Sequence, residues 1–223
     1  MLVRIAGAAA LAGVIAFALA GAGAAGDGVG VRSAVAPTGL PSEAMMMAPA
    51  YNVESARAAA PMGWVAFCER YSFECRRETY DAEPIVFEGA TRDLILRVNA
   101  AVNAAITPAT DLLQWGTEER WDFAETGVGD CEDYVLLKKR WLVSAGVSPA
   151  ALLVTVVTEL GGSGHAVLTV HTDRGDYILD NMHDDVKLWR ETPYSFVKRQ
   201  SRLVSTEWVS LNRRGVAPAV VSR

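Results

Sequence analysis

The chain has 223 residues, 51% hydrophobic and 21% charged, with 21 basic against 26 acidic side chains and a formal net charge of -5. That composition suits one well-buried globular domain with some accessory sequence. The acidic balance speaks against nucleic acid as a partner.

The first residues, MLVRIAGAAALAGVIAFALAGAGAAG, join Arg4 to an apolar stretch from Ile5 to Ala20 and then to small residues at A-x-A spacing. This is the pattern of a cleavable secretory signal, assigned to residues 1–25. An uncleaved anchor competes, because the stretch approaches the roughly 18 apolar residues of a membrane span. From Gly26 to residue 60, Ala, Pro, Gly, Ser and Met dominate with no period of 3.6 or 2, which predicts a flexible N-terminal segment.

Export changes how the three cysteines are read. Cys68 and Cys75 lie close together in FCERYSFEC and Cys131 stands apart, so one disulfide and one thiol is the economical assignment. Three buried thiols are the alternative, because a continuous helix between the first two would rise about 10 Å, too far to bridge. Pairing therefore requires the chain to bend.

From Thr91 to Ile106, Leu94, Val98, Ala101, Val102 and Ala105 recur at helical spacing and Pro108 follows, which predicts a helix. The run from Cys131 to Ser144 directs Val135, Leu136, Leu142 and Val143 toward a core. It carries Lys138, Lys139 and Arg140 in its second half, stops at Gly146, and places Asp130 at the N-cap. ALLVTVVTE from 151, HAVLTVHT from 165 and DYILDN from 176 then read as strands, the last two joined by a DRG turn. A cysteine-bearing helix on an antiparallel sheet makes the expected fold class α+β.

In GDCEDY the carboxylates oppose thiolate formation, whereas the start of a helix favours it and supplies N–H groups for an oxyanion. A base must come from His165, His171 or His183. If His171 faces Asp176 across the turn, Val167 faces Asp180, and His165 becomes the diagonal neighbour of Asp180 on one face. Such neighbours are roughly 7–8 Å apart at the backbone, within reach of an imidazole–carboxylate bond; a one-residue slip separates them. Cys131, His165 and Asp180 then serve as nucleophile, base and orienting acid. His171 is expected to be solvated near the turn, and His183 to lie in a loop.

Each feature has a plainer reading. His165 is then a hydrogen-bonded structural histidine, and the acids beside Cys131 merely favour the helix N-terminus. Trp115, Trp121, Trp189 and Trp208 pack the core rather than line a peptide groove. Lys198, Arg199 and Arg202 form a solvated face rather than a receptor for an acidic segment, and GGSG at 161–164 is a flexible connection. Zinc-ligand spacing and a phosphate-binding loop are both missing.

GDCEDY, GHAVLTV, the LDN of YILDN, YSFVKRQS and Trp208 resemble the bacterial transglutaminase-like cysteine proteinase family. So do GWVAFCERYSFEC, VNAAVN and WGTEERW upstream, and together these span about residues 61–211. The resemblance implies a papain-like or transglutaminase-like α+β fold, a catalytic domain over 61–215 with a tail at 216–223, and Cys131, His165 and Asp180 as catalytic residues. It also implies Ca²⁺ held by Asp130, Glu132 and Asp133. Hard oxygen ligands suit calcium, and the cation would cancel the charge that opposes the thiolate. Three adjacent carboxylates leave its shell short, so backbone carbonyls and water would complete it. What is implied is a periplasmic cysteine peptidase acting on a protein substrate, the N-terminal region of a large secreted adhesin, with an inner-membrane regulatory protein as a further partner. A transglutaminase-type acyl transferase and a non-catalytic periplasmic binding module of the same fold are the alternatives.

Overall fold

The computed structural model describes residues 50–211. The expected signal, most of the segment 26–60 and the tail at 216–223 lie outside the described residues. No helix among the described residues is long and apolar enough to cross a membrane.

The expected helices and strands form, with small shifts at their ends. In chain order they are β1 (Arg57–Ala58), α1 (Met62–Arg70), α2 (Gly89–Ala105), β2 (Thr107–Pro108), α3 (Asp111–Trp115), β3 (Val128–Gly129) and α4 (Cys131–Ser144). They continue as β4 (Leu152–Thr158), β5 (Gly164–Thr172), β6 (Gly175–Leu179), β7 (Lys187–Leu188), β8 (Ser195–Gln200) and β9 (Trp208–Ser210). Seven strands form one sheet in the order β1-β9-β8-β4-β5-β6-β7, with every pair antiparallel. β2 and β3 form a separate parallel pair.

α2 buries Ile95, Val98, Asn99 and Val102 along one stripe, as the helical period requires. α4 begins where Asp130 leaves extended backbone, and it ends before Gly146, whose φ of 92° only glycine adopts without strain. Its buried stripe is Cys131, Val135, Lys138 and Leu142, at i, i+4, i+7 and i+11. Val143 is exposed instead, because it lies a full 100° round from Leu142. Ala166, Leu168 and Val170 of β5 join this stripe and α2 in the main core. On the other face of the sheet Val157, Val167, Ile178 and Phe196 form a smaller cluster, flanked by Trp189, Tyr194 and Leu211.

The β5–β6 register pairs His171 with Asp176 and Leu168 with Leu179, so the chain runs on to bring Asp180 opposite Val167. The alternation of apolar residues fixed this register: a slip would turn Val167 and Ile178 out of their cluster.

Residues 50–60 are bound to the sheet, contrary to the flexible segment expected there. β1 pairs with β9, the Asp176 N–H donates to the Ala50 carbonyl, and Asp176 Oδ2 accepts from the Asn52 N–H. Composition conceals this because it records neither backbone pairing nor partners distant in sequence, such as Arg199 and Arg202 for Glu54. Arg199, expected on a solvated face, is buried at 1% exposure and bonds Asp176 Oδ2 at 2.8 Å and Glu54 Oε1 at 2.9 Å. A register shift in the β4–β8 pairing, between Val156 and Val157, sets it opposite Thr155 on the face that carries Asp176. Arg202 bonds the same Glu54, while Lys198 donates to the Ala59 carbonyl.

Cys68 and Cys75 form a disulfide with their Cα atoms 5.4 Å apart. The required bend occurs because α1 stops at Arg70 and turns through residues 72–75. Trp121 and Trp208 are core residues, whereas Trp115 is 38% exposed beneath the Arg120 guanidinium.

Candidate active site

Cys131 is the first residue of α4, and its thiol is buried. The thiol donates to Glu132 Oε2 at 3.2 Å and receives the backbone N–H of Ala166, which sets the sulfur beside the start of β5. Burial pushes the thiol well above its ordinary pKa, and the Glu132 and Asp130 charges push it further; the Ala166 N–H acts against them. In this arrangement the sulfur is protonated.

His165, at the start of β5, is fully buried. Its Nε2 bonds Asp180 Oδ1 at 2.9 Å, as the diagonal register requires. Burial alone would raise the Asp180 pKa, yet the bond and charge of His165, the Tyr194 hydroxyl and the Met182 N–H together hold it down at about 2. An ionised Asp180 makes Nε2 the protonated nitrogen of the neutral ring. The base lone pair is then on Nδ1, which is buried with no hydrogen-bond partner.

Tyr194, which the sequence reading passed over, donates its hydroxyl to Asp180 Oδ2 at 2.5 Å and lies with its ring 5.5 Å from that of His165. Asp180 is thus gripped at both oxygens, since Met182 N–H also bonds Oδ1 at 3.0 Å. The YSFVKRQS stretch contains Tyr194, but nothing local to it marks a contact with residue 180.

The acidic residues divide differently from the expected set. Asp111, Asp130 and Glu132, all buried, offer oxygens within 4.8 Å of one another. Asp133 is not in that group: it turns aside, and its Oδ1 accepts the Asp122 N–H at 2.6 Å. Consecutive helical positions point 100° apart, so Glu132 and Asp133 cannot address one point equally. Asp111 joins because β2 and β3 run parallel, each leading directly into a helix, so the starts of α3 and α4 lie side by side. The Asp111 N–H donates to Asp130 Oδ2 at 3.3 Å, and the Arg120 N–H bonds Asp111 Oδ2.

Burial raises Asp130 to about 7 and Asp133 to about 8, and it raises Glu132 well above its ordinary value. Asp111 Oδ1, Asp130 Oδ1, Glu132 Oε1 and Asp133 Oδ2 are buried without hydrogen-bond partners. Orphaned oxygens on the three neighbouring carboxyl groups of Asp111, Asp130 and Glu132 are costly unless a cation or protons compensate them, and the side chains of Asp130 and Glu132 already share one hydrogen bond. The donor set, oxygen throughout, fits a hard divalent ion such as calcium.

His171 is buried rather than solvated. Its Nδ1 bonds Asp176 Oδ1 at 2.7 Å, and its Nε2 bonds Arg202 Nη1 at 2.9 Å. An arginine only donates, so Nε2 accepts and the ring serves as a structural strut. His183 is exposed in the loop after β6, as expected.

A profile of the family described as bacterial transglutaminase-like cysteine proteinase (BTLCP) matches residues 54–216. Similar solved structures include three of Legionella pneumophila LapG. The calcium-bound one is 21% identical over 60% of this chain and 76% of that chain, with a TM-score of 0.48. The EGTA-treated one is 24% identical over 50% and 64%, with a TM-score of 0.44. A further LapG structure is 25% identical over 50% and 66%, with a TM-score of 0.44. The chain thus spans less than two thirds of the last two. No curated protein sequence matches it.

Proposed function

The chain belongs to the bacterial transglutaminase-like cysteine proteinase family and is a cysteine peptidase of transglutaminase-like type, and on that premise we propose that Cys131, His165 and Asp180 are its catalytic triad. His165 Nδ1 takes the thiol proton and Cys131 Sγ attacks the scissile carbonyl carbon. The imidazolium then protonates the leaving amine, and His165-activated water cleaves the thioester. Asp180 fixes the tautomer that leaves Nδ1 basic, and Tyr194 fixes Asp180. N–H groups at the start of α4 face the developing oxyanion. The observation that carries this reading is the buried, unpartnered Nδ1 of a histidine whose other nitrogen is held by Asp180, one residue from the N–H that meets the sulfur.

The orphaned oxygens of Asp111, Asp130 and Glu132 support a calcium site, with Asp133 as a buried acid behind it. Asp111, Asp130 and Glu132 would hold the cation, whose positive charge would offset the carboxylates that oppose thiolate formation. The sulfur is fully buried as it stands, so a peptide reaches it only after the site rearranges.

The reading extends to an exported, periplasmic enzyme whose substrate is the N-terminal region of a large secreted adhesin, controlled by an inner-membrane regulatory protein. Family resemblance in GDCEDY, GHAVLTV and YILDN, and the signal-like N-terminus, support this extension.

The test is cleavage of a recombinant adhesin N-terminal fragment from the same organism by the mature chain and by Cys131→Ala, each with calcium and with chelator. Cleavage by the wild type with calcium alone is expected. Incorporation of a labelled amine into a glutamine donor without cleavage would instead make the protein an acyl transferase. A Cys131 that no thiol-directed electrophile modifies, with or without calcium, would make it a binding module.

A further inference from the structure

A cavity of about 350 Å³ opens between α1 with its disulfide turn, the second half of α4 and the end of β8, and the chemistry above does not use it. The buried Trp64, Phe123 and Leu136 line it together with Phe73 and Val143, which are 72% and 38% exposed. Phe73 lies within the turn closed by the Cys68–Cys75 bridge. An exposed ring and a buried apolar wall thus share one concavity instead of being scattered over the surface.

Lys139 brings a positive charge into this cavity. Its Nζ donates to Gln200 Oε1 at 2.6 Å, an oxygen that also accepts the Val154 N–H at 3.2 Å, and no carboxylate among the described residues forms an ion pair with it. An ammonium has three donors, so two remain. Burial lowers the amine to about 8, with the Glu74 charge opposing, and the group is still charged at neutral pH. The other charged residues of the lining are exposed, so Lys139 is the innermost. Arg76 lies over the Phe73 ring at 4.1 Å, Arg140 lies over the Phe123 ring at 4.5 Å and pairs with Glu125, and Glu78 accepts the Tyr80 hydroxyl. Glu74 is the other acid, so three cations face two carboxylates.

Apolar walls, few polar groups and a volume within the usual range of about 300–1,000 Å³ are the features of a small-molecule site. An inner cation without a carboxylate partner selects an anion, and aromatic walls suit a flat apolar body. We propose that this cavity binds a small organic acid, its carboxylate paired with Lys139 Nζ and an aromatic body against Trp64, Phe73 and Phe123. Lys139 stands about 12 Å along the helix axis from Cys131, so the site is separate from the triad and does not depend on the peptidase reading.

Calorimetric titration of the full mature chain, with calcium present, compares naphthoate with naphthamide, which has the same rings and no charge. The wild type should bind one equivalent of naphthoate saturably, and naphthamide at least about tenfold more weakly. Lys139→Gln should weaken naphthoate by about 10- to 100-fold, the usual loss when a hydrogen bond to a charged group is removed. Phe73→Ala, at an exposed position, should weaken it by about 2- to 10-fold through the lost ring contact. Cys131→Ser should bind naphthoate as the wild type does. Absence of saturable binding, equal affinity for the amide, or wild-type affinity in folded Lys139→Gln or in Phe73→Ala overturns the proposal. Loss of binding in Cys131→Ser also overturns it, by placing the probe in the catalytic cleft. If Lys139→Gln does not fold, Phe73→Ala and the amide decide between them.

Discussion

Replacing Lys138 by methionine should make the protein more stable near neutral pH, by an amount that fades in alkali. Burial lowers the amine to about 7, against an ordinary 10.5, with Asp180 and Asp184 opposing the shift. Between those values the unfolded chain binds a proton that the folded chain does not, so wild-type stability climbs as pH rises through the window. At pH 7 and below, the folded state bears nearly the whole cost of the buried site. From pH 7 to 9.5 the gain is about 2.5 pH units at 1.36 kcal/mol each, or about 3 kcal/mol. The methionine variant lacks this slope. Its advantage over wild type, taken from urea unfolding at fixed calcium, should therefore shrink by about 3 kcal/mol across that range. A stability difference independent of pH, or a variant less stable than wild type at pH 7, would refute the reasoning by showing that Lys138 is buried as a satisfied charge.

Asp180→Asn should lower kcat by up to about 10⁴-fold, because the wrong tautomer then presents to the sulfur, whereas Tyr194→Phe should cost about 10-fold; both are read from initial rates. The same Asp180 carboxyl, held at about 2, contributes about 2 kcal/mol above pH 4 that is lost as pH falls toward 2, so Asp180→Asn should lack this part of the acid transition in circular dichroism. Arg199→Met leaves Asp176 and Glu54 without their shared buried cation, at a cost of about 3–5 kcal/mol that calorimetry would read as a fall of roughly 6–20 °C in Tm. Reducing the Cys68–Cys75 bridge, which closes a short loop, should cost about 2–3 kcal/mol without altering thiol reactivity at Cys131.

What was legible in the sequence had a local period behind it. The stripe of α2, the start of α4 at Asp130 and the hairpin register from His171 to Asp176 all follow from patterns of 3.6 or 2 and from a turn residue, Gly175, with a φ of 125°. His165 and Asp180 follow from that register. What was missed depends on contacts between distant segments. Tyr194 reaches Asp180 only because the chain returns after β7. Residues 50–60 are held by backbone pairing with β9 and by Glu54 on two distant arginines, neither of which composition records. Lys138, Arg199 and His171 are polar residues on inward-facing positions, and a charge in the sequence ordinarily signals solvent; only their place on an otherwise apolar stripe or strand face argued for burial.

The acidic group is where the local rules are broken most severely, since a fold optimised for stability alone would not bring together three buried carboxyl groups, each with an unpartnered oxygen, beside a cysteine. Helix-start acids need no help from outside their own helix, but Asp111 comes from a different one, carried there by the parallel β2–β3 pair. It therefore separates the two readings of the group. Asp111→Asn should leave the α4 N-terminus and the thiol's own bonds intact, yet raise the calcium concentration that half-restores activity and Tm by at least about 10- to 100-fold, the loss seen even when only a supporting residue of a metal site is removed. If Asp130 and Glu132 are no more than capping acids, the calcium response of Asp111→Asn will match wild type, and the convergence of two helix starts will then have no bearing on a cation.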